Sequence, residues 1–246
     1  MIMLVALFVT VPVKYPAVNT KRDFTKSSSG VMFGNSPFFK MTSSTIEKKF
    51  DCYQQWQLGN VGLSEDAFDY AMKGFDYLCK SNLVGKKDIV SIVDFSKPSS
   101  QKRLYVIDVS SGKILFNTWV AHGKNSGNEY AKRFSNLPDS HQSSLGFYTT
   151  METYFGEHGY SLRLKGCEKG INDKAYERAI VIHGADYVCS RYINFRGIPG
   201  RSYGCPAIPN ELSKKIIDVI KNGSCLFIYH PTKTYTTKSK ILNSQI

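Results

Sequence analysis

The runs DIVSIVDF (88–95), RLYVIDV (103–109) and KILFNTWVAHG (113–123) decide the fold class. Each is short and dense in β-branched and aromatic residues, which suit a pleated, half-buried surface. Ser110, Ser111 and Gly112 stand between the second and third runs and predict a hairpin turn. Working outward, LGFYTTMETYF (145–155), YSLRLKG (160–166), RAIVIHG (178–184) and SCLFIYH (224–230) repeat the same texture. A single helical pattern interrupts them. It opens near Asn210 as N-cap, carries Leu212, Ile216 and Ile220 on one side, and closes before Gly223. Many short strands with few helices predict a mainly β barrel or sandwich over residues 86–231.

Before this region, residues 46–85 read as a helical segment. Ser64 suits an N-cap, Glu65 and Asp66 suit the first turn, and Phe68, Met72, Phe75 and Leu78 or Cys79 recur on one face. Such a stripe packs a core. Residues 19–45 are rich in Ser, Thr, Lys and Gly without a sustained period, and read as a linker. The apolar run from Ile2 to Val13 is too short to span a bilayer comfortably but long enough for a signal-peptide core. Residues 1–18 are therefore expected to act as a signal peptide or membrane anchor. No Lys or Arg precedes the run, and Tyr15 sits where a cleavage site favours a small residue. After Pro231 the stretch TKTYTTKSK predicts a flexible tail, 232–246.

The chain has 246 residues, 42% of them hydrophobic and 13% aromatic, which excludes a disordered or fibrous class. Thirty-two Lys and Arg against twenty Asp and Glu give a net charge of +12, which favours an anionic partner. The basic residues are scattered rather than blocked, so nucleic acid is not the expected partner. The cysteines are Cys52, Cys79, Cys167, Cys189, Cys205 and Cys225, with no C-x-x-C spacing to signal a zinc ribbon or redox motif. Most are expected to be small buried hydrophobes, with Cys52 and Cys79 the first pair to test for a disulfide.

The chemistry concentrates in GIPGRSYGCPAIP (197–209), where Cys205 lies between Gly204 and Pro206 in a loop crowded with turn residues. Pro206 has no N–H, so donors for an oxyanion beside the sulfur must come from the backbone of Tyr203, Gly204 and Cys205. A thiol needs a base to become a useful nucleophile near neutral pH. His183 is the leading candidate, ending the run AIVI, where a strand would hold it rigidly. Period-2 alternation sets Val181 and His183 on one face and Ile180 and Ile182 on the other. A zinc site from His183, Cys189 and Cys205 matches no familiar ligand spacing.

His183-Gly184 followed by Ser202-x-Gly204-Cys205, with residues 184–201 as spacer, resembles the signature of the L,D-transpeptidase (YkuD-type) family. LYVIDV, VAHGKNSG, SHQSSLGFY, YSLRLKG, AIVIHGADY and GRSYGCPAIP resemble, in order, the murein L,D-transpeptidase catalytic-domain branch over about residues 88–230. The resemblance implies an L,D-transpeptidase-like β fold. In it, Cys205 attacks a peptidoglycan stem tetrapeptide, D-Ala leaves, and a second stem's amine makes a 3→3 cross-link. With water as acceptor the protein is an L,D-carboxypeptidase. It also implies that the Gly184 carbonyl orients His183, that neither cofactor nor metal is needed, and that carbapenems acylate the thiol. The partners implied are stem peptides, with no stable protein partner.

The family's commoner motif places Arg two residues after the cysteine, where this chain has Ala207. Arg201 is the candidate replacement for recognising a substrate carboxylate. Ser202, His122, His141 and Tyr160 complete the candidate substrate contacts, while His158 and His230 are read as structural. Alternatives are another cysteine hydrolase and a non-catalytic wall-binding protein. The expected location is the cell envelope.

Overall fold

A computed structural model describes residues 52–244. The leader or anchor (1–18), the linker (19–45) and the start of the helical segment lie outside the described residues. Among the described residues eight strands form one sheet: β1 (Ile89–Asp94), β2 (Leu104–Asp108), β3 (Lys113–Thr118), β4 (Gly146–Gly156), β5 (Gly159–Gly166), β6 (Val181–Ala185), β7 (Ala207–Pro209) and β8 (Cys225–Tyr229). Their spatial order is β3-β2-β1-β8-β4-β5-β6-β7. Ala121, just beyond β3, bridges Ala207 of β7, its N–H donating to the Ala207 carbonyl at 2.8 Å. The two ends of the sheet thus nearly meet, and the expected barrel or sandwich is one barrel-like sheet. Near-closure also removes exposed ladder groups from its edges.

The predicted hairpin joins β2 and β3 in antiparallel register. Asp108 caps its turn, accepting from the Ser110 N–H at 2.9 Å and the Ser111 hydroxyl at 2.8 Å. Gly112 has φ +69°, and a Cβ there would sit 2.2 Å from Trp56 Nε1. The turn therefore needs glycine for both backbone and contact.

Helix α1 (Glu65–Lys80) begins at Ser64, whose Oγ accepts from the Ala67 N–H at 3.3 Å, and buries Phe68, Phe75 and Leu78 as its stripe predicts. Ala71 and Gly74 widen the buried face and let the helix approach the sheet. Three helices follow: α2 (Ser190–Arg196), α3 (Asn210–Ile220) and α4 (Lys233–Lys238). Helix α2 is an addition to the sequence reading. It has no buried residue, hence no apolar period to detect, and the Cys189 sulfur caps it by accepting from the Tyr192 N–H at 3.4 Å. Helix α3 buries Ile216, Ile217 and Ile220. Asn210 is its first helical residue rather than its N-cap, which is Pro209, and the Asn210 amide instead donates to Asp186.

The tail also differs from expectation. Residues 232–244 fold back, burying Tyr235, Ile241 and Leu242. Glu168 holds the segment, accepting from the Tyr235 hydroxyl at 3.0 Å and from Ser239, while its other donor is the Phe147 N–H at 2.8 Å. A buried carboxylate needs such donors. A polar stretch can therefore be anchored by a few apolar residues and one acceptor, which composition alone does not reveal. All six cysteines are unpaired, so Cys52 and Cys79 form no disulfide. Among the described residues no helix is long and apolar enough to cross a membrane.

Candidate active site

Strand β6 lies between β5 and β7, with Ser161 and Ala207 as the register partners of His183. Ile182 packs in the main core with Leu162, so alternation turns His183 and Ser161 to the opposite face. His183 is 2% exposed, and its Nδ1 lies 2.9 Å from the Gly184 carbonyl. A carbonyl only accepts, so Nδ1 carries the proton of the neutral ring and Nε2 keeps the lone pair. Gly184 faces α3, where a Cβ would come within 2.2 Å of Asn210 Oδ1.

The parallel β6–β7 register sets Cys205, two residues before Ala207, alongside Val181. The Val181 N–H donates to Sγ at 3.5 Å, and the thiol points to the Ala179 carbonyl at 3.7 Å. His183 on β6 and the Cys205 loop that leads into β7 therefore lie side by side, but no direct hydrogen bond joins the two side chains. Ser202 shapes the loop: its hydroxyl donates to the Cys205 carbonyl at 2.6 Å and accepts from the Gly204 N–H at 3.1 Å. That removes Gly204 from the candidate oxyanion donors, leaving the N–H groups of Tyr203 and Cys205. Ser202 thus braces the loop that carries Cys205. Gly204 has φ +128°, and a Cβ there would meet the Gln142 carbonyl at 2.9 Å.

A family model described as the L,D-transpeptidase catalytic domain matches residues 60–229, most of the chain. The chain belongs to this family.

Solved structures similar to this L,D-transpeptidase domain include an L,D-transpeptidase from Mycobacterium smegmatis, at 12% identity and TM-score 0.36, covering 58% of this chain and 59% of that one. The helical cell shape determining protein Pgp2 (K307A mutant) from Campylobacter jejuni has 15% identity and TM-score 0.40, covering 67% and 56%. An L,D-transpeptidase from Xylanimonas cellulosilytica has 15% identity and TM-score 0.34, covering 57% and 60%. The chain thus spans less than two thirds of each of these proteins, and the family assignment rests on the model match. No curated protein matches the sequence.

The remaining candidate residues of the L,D-transpeptidase domain divide clearly. His122 is fully buried, with Nδ1 2.8 Å from the Arg103 guanidinium and Nε2 3.3 Å from the Gly127 carbonyl. Burial first, then Arg103, pushes its pKa down to about 3. It is a neutral structural group, not a cleft residue. Tyr160 lies on the face opposite His183, its hydroxyl donating to Asp218 of α3 at 2.8 Å, so it is also removed from the substrate contacts. His141 stays near the loop, its ring 4.6 Å from that of Tyr203, which is 66% exposed. Arg201 is exposed and donates to the Gly127 carbonyl at 3.0 Å. Among the described residues no three His, Cys, Asp or Glu side chains converge as a metal site.

Two neighbours of the site were not among the sequence candidates: His158, read there as structural, and Arg178. The His158 ring stacks on His183, with centroids 4.3 Å apart and planes 21° apart. His158 stands in the β4–β5 turn, next to the Gly156↔Gly159 pair, and its contact with His183 of β6 is a tertiary result. Arg178 places its guanidinium beside Gly204, Nη2 falling 3.4 Å from where a Cβ would stand. It donates at 2.7–2.8 Å to the Gln142 and Ser135 carbonyls, and more weakly to the Ser140 and Ser144 hydroxyls, all neutral acceptors. Burial raises the Cys205 thiol above its ordinary 9.0, against the lowering pull of the Val181 N–H and Arg178. Burial likewise lowers His183 below 6.5, opposed by the Gly184 carbonyl and reinforced by His158.

Proposed function

We propose that this chain is a peptidoglycan L,D-transpeptidase with Cys205 as nucleophile and His183 as general base. The observation that carries the reading is the His183–Gly184 pairing, which leaves Nε2 free on the strand that neighbours the Cys205 loop. A backbone carbonyl orients the ring, so no carboxylate is needed as third member. The raised thiol and lowered imidazole pKa values favour a neutral resting pair, in which the proton leaves sulfur as the sulfur attacks.

The thiol first swings from the Ala179 carbonyl toward Nε2, a change of side-chain rotamer. Sulfur bonds to the carbonyl carbon of the diaminopimelate residue that precedes the terminal D-Ala, and its proton passes to Nε2. The N–H groups of Tyr203 and Cys205 stabilise the oxyanion. The C–N bond then breaks, His183 returns the proton to the departing D-Ala amine, and a thioester remains. A second stem's amine attacks the thioester, restoring the thiol and forming the 3→3 cross-link. Water in place of the amine makes the carboxypeptidase product. The reaction belongs in the cell envelope, with residues 1–18 as export signal or anchor.

The test is incubation with disaccharide tetrapeptide, following D-Ala release and cross-linked dimer. The reading expects both products from the wild-type chain and neither from Cys205→Ala. Release of D-Ala without dimer supports the carboxypeptidase, and no release from folded protein overturns the proposal in favour of a wall-binding protein or another hydrolase.

A further inference from the structure

Two serines hold the backbone of the Cys205 loop, and they act on different atoms. Ser202 takes up the Gly204 N–H and the Cys205 carbonyl. The Gly204 carbonyl goes to Ser143, whose hydroxyl donates to it at 3.1 Å from the segment before β4. Ser143 is 1% exposed and each of its polar atoms is engaged. Its Oγ accepts from the Gly123 N–H at 3.1 Å, its N–H donates to the Ser126 hydroxyl at 2.9 Å, and its carbonyl accepts from the Ser135 N–H at 3.0 Å. A hydroxyl has a single hydrogen and an N–H can only donate, so the Ser143 hydrogen is committed to the Gly204 carbonyl. Arg178 steadies the same segment, donating at 2.7 Å to the Gln142 carbonyl, which packs against Gly204.

We infer that Ser143 is a positioning residue for acyl transfer, its hydroxyl locking the Gly204–Cys205 peptide so that the Cys205 N–H faces the oxyanion. The carbonyl and N–H of one trans peptide point in opposite directions. Tying the Gly204 carbonyl to a buried hydroxyl therefore aims the Cys205 N–H away from the interior. That N–H is among the groups that pull the Cys205 thiol pKa down, which places it on the side of the sulfur. Among the described residues no other protein group takes it up, so it is available to a reacting carbonyl. Gly204 is the reason a lock is needed. Glycine at φ +128° offers little resistance to rotation of the peptide that follows it. A flipped peptide would present a carbonyl, not a donor, to the developing negative charge. This inference rests on the proposed reaction in taking Cys205 as nucleophile, and adds the group that aims its oxyanion donor.

The test separates acylation from alkylation at one thiol of the full chain. With p-nitrophenyl acetate, sulfur bonds to the acetyl carbonyl carbon through an oxyanion, nitrophenolate leaves and the thiol proton is lost. With iodoacetamide, sulfur bonds to the methylene carbon and iodide leaves, with no oxyanion to stabilise. Peptide mapping assigns each label to Cys205, and the ratio of the two rates reads the oxyanion donors while thiol pKa and exposure cancel. Deleting an oxyanion donor costs about a hundredfold or more, whereas Ser143→Ala misaligns one, so the ratio is expected to fall about tenfold with the alkylation rate unchanged. Ser143→Cys, close in volume and a weaker donor, should lower the ratio by a smaller factor and serves where the alanine variant does not fold. With tetrapeptide substrate the loss should appear in kcat, KM staying within about twofold. An unchanged ratio in either folded variant overturns the inference, as does a fall in alkylation that matches the fall in acylation. A lowered ratio in a chain that never releases D-Ala from tetrapeptide upholds the Ser143 role and counts against the proposed substrate.

Discussion

Burial sets the resting charges of the proposed nucleophile and base, since neither sits beside a counter-charge strong enough to hold it ionised. His183 must be neutral to accept a proton, so its lowered pKa keeps it competent through pH 6.5 and makes the rate fall only at lower pH. His158 adds ring cover and, when protonated, like charge, and both effects lower the His183 pKa. His158→Ala removes both, so the acid limb of kcat/KM against pH is expected to move to higher pH. His158→Phe keeps the cover alone and should fall between. An unmoved acid limb in the alanine variant contradicts this role. The sequence supplied Cys205 and His183 through a spaced motif, whereas His158, from the β4–β5 turn, and Arg178, at the start of the same run as His183, acquire meaning only through packing. His122 illustrates the reverse: its motif was legible, yet its partner Arg103 was not, and that partner makes it structural.

At the scale of elements, α1 and the sheet meet through a glycine. A Cβ on Gly74 would lie 1.9 Å from Phe147 Cζ, and that ring is fully buried and stacked on Phe227 with centroids 4.2 Å apart. Alanine in a helix gains about 1 kcal/mol over glycine in propensity. Overpacking a fixed core ring costs about 1–3 kcal/mol, so the clash is expected to win. Gly74→Ala should therefore lower the unfolding free energy in urea by about 1 kcal/mol; a more stable variant would show that the interface is loosely packed. Strands and α1 were readable because each repeats an apolar period with turn residues or a good cap at its ends. Helix α2 lacked the period, and the cap of α3 was misassigned because Asn210 spends its amide on Asp186 rather than on its own helix.

On the scale of the whole molecule, near-closure of the sheet brings the Ala121 and Ala207 backbones together and so sets the Cys205 loop against residues 121–124. The C-terminal segment closes another side of the core by way of Glu168. Glu168→Ala leaves the Phe147 N–H and the Tyr235 and Ser239 hydroxyls without their acceptor. Losing buried partners of this kind costs about 3 kcal/mol in all, on the order of 10 °C in melting temperature for a chain of this size. The variant should also become sensitive to proteolysis within 232–244, and a wild-type melting temperature would contradict the anchoring role. The barrel-like class was legible in the strand count, but closure and the return of the tail depend on contacts that a local pattern cannot encode.

The central claim is that Cys205 is an acylable nucleophile, and intact-mass spectrometry after exposure to a carbapenem tests it most directly. Imipenem serves as the probe. The account predicts one stable adduct, mapped to Cys205 and absent from Cys205→Ala. An unmodified mass with Cys205 reduced and the protein folded, or an adduct that survives in the alanine variant, would contradict it.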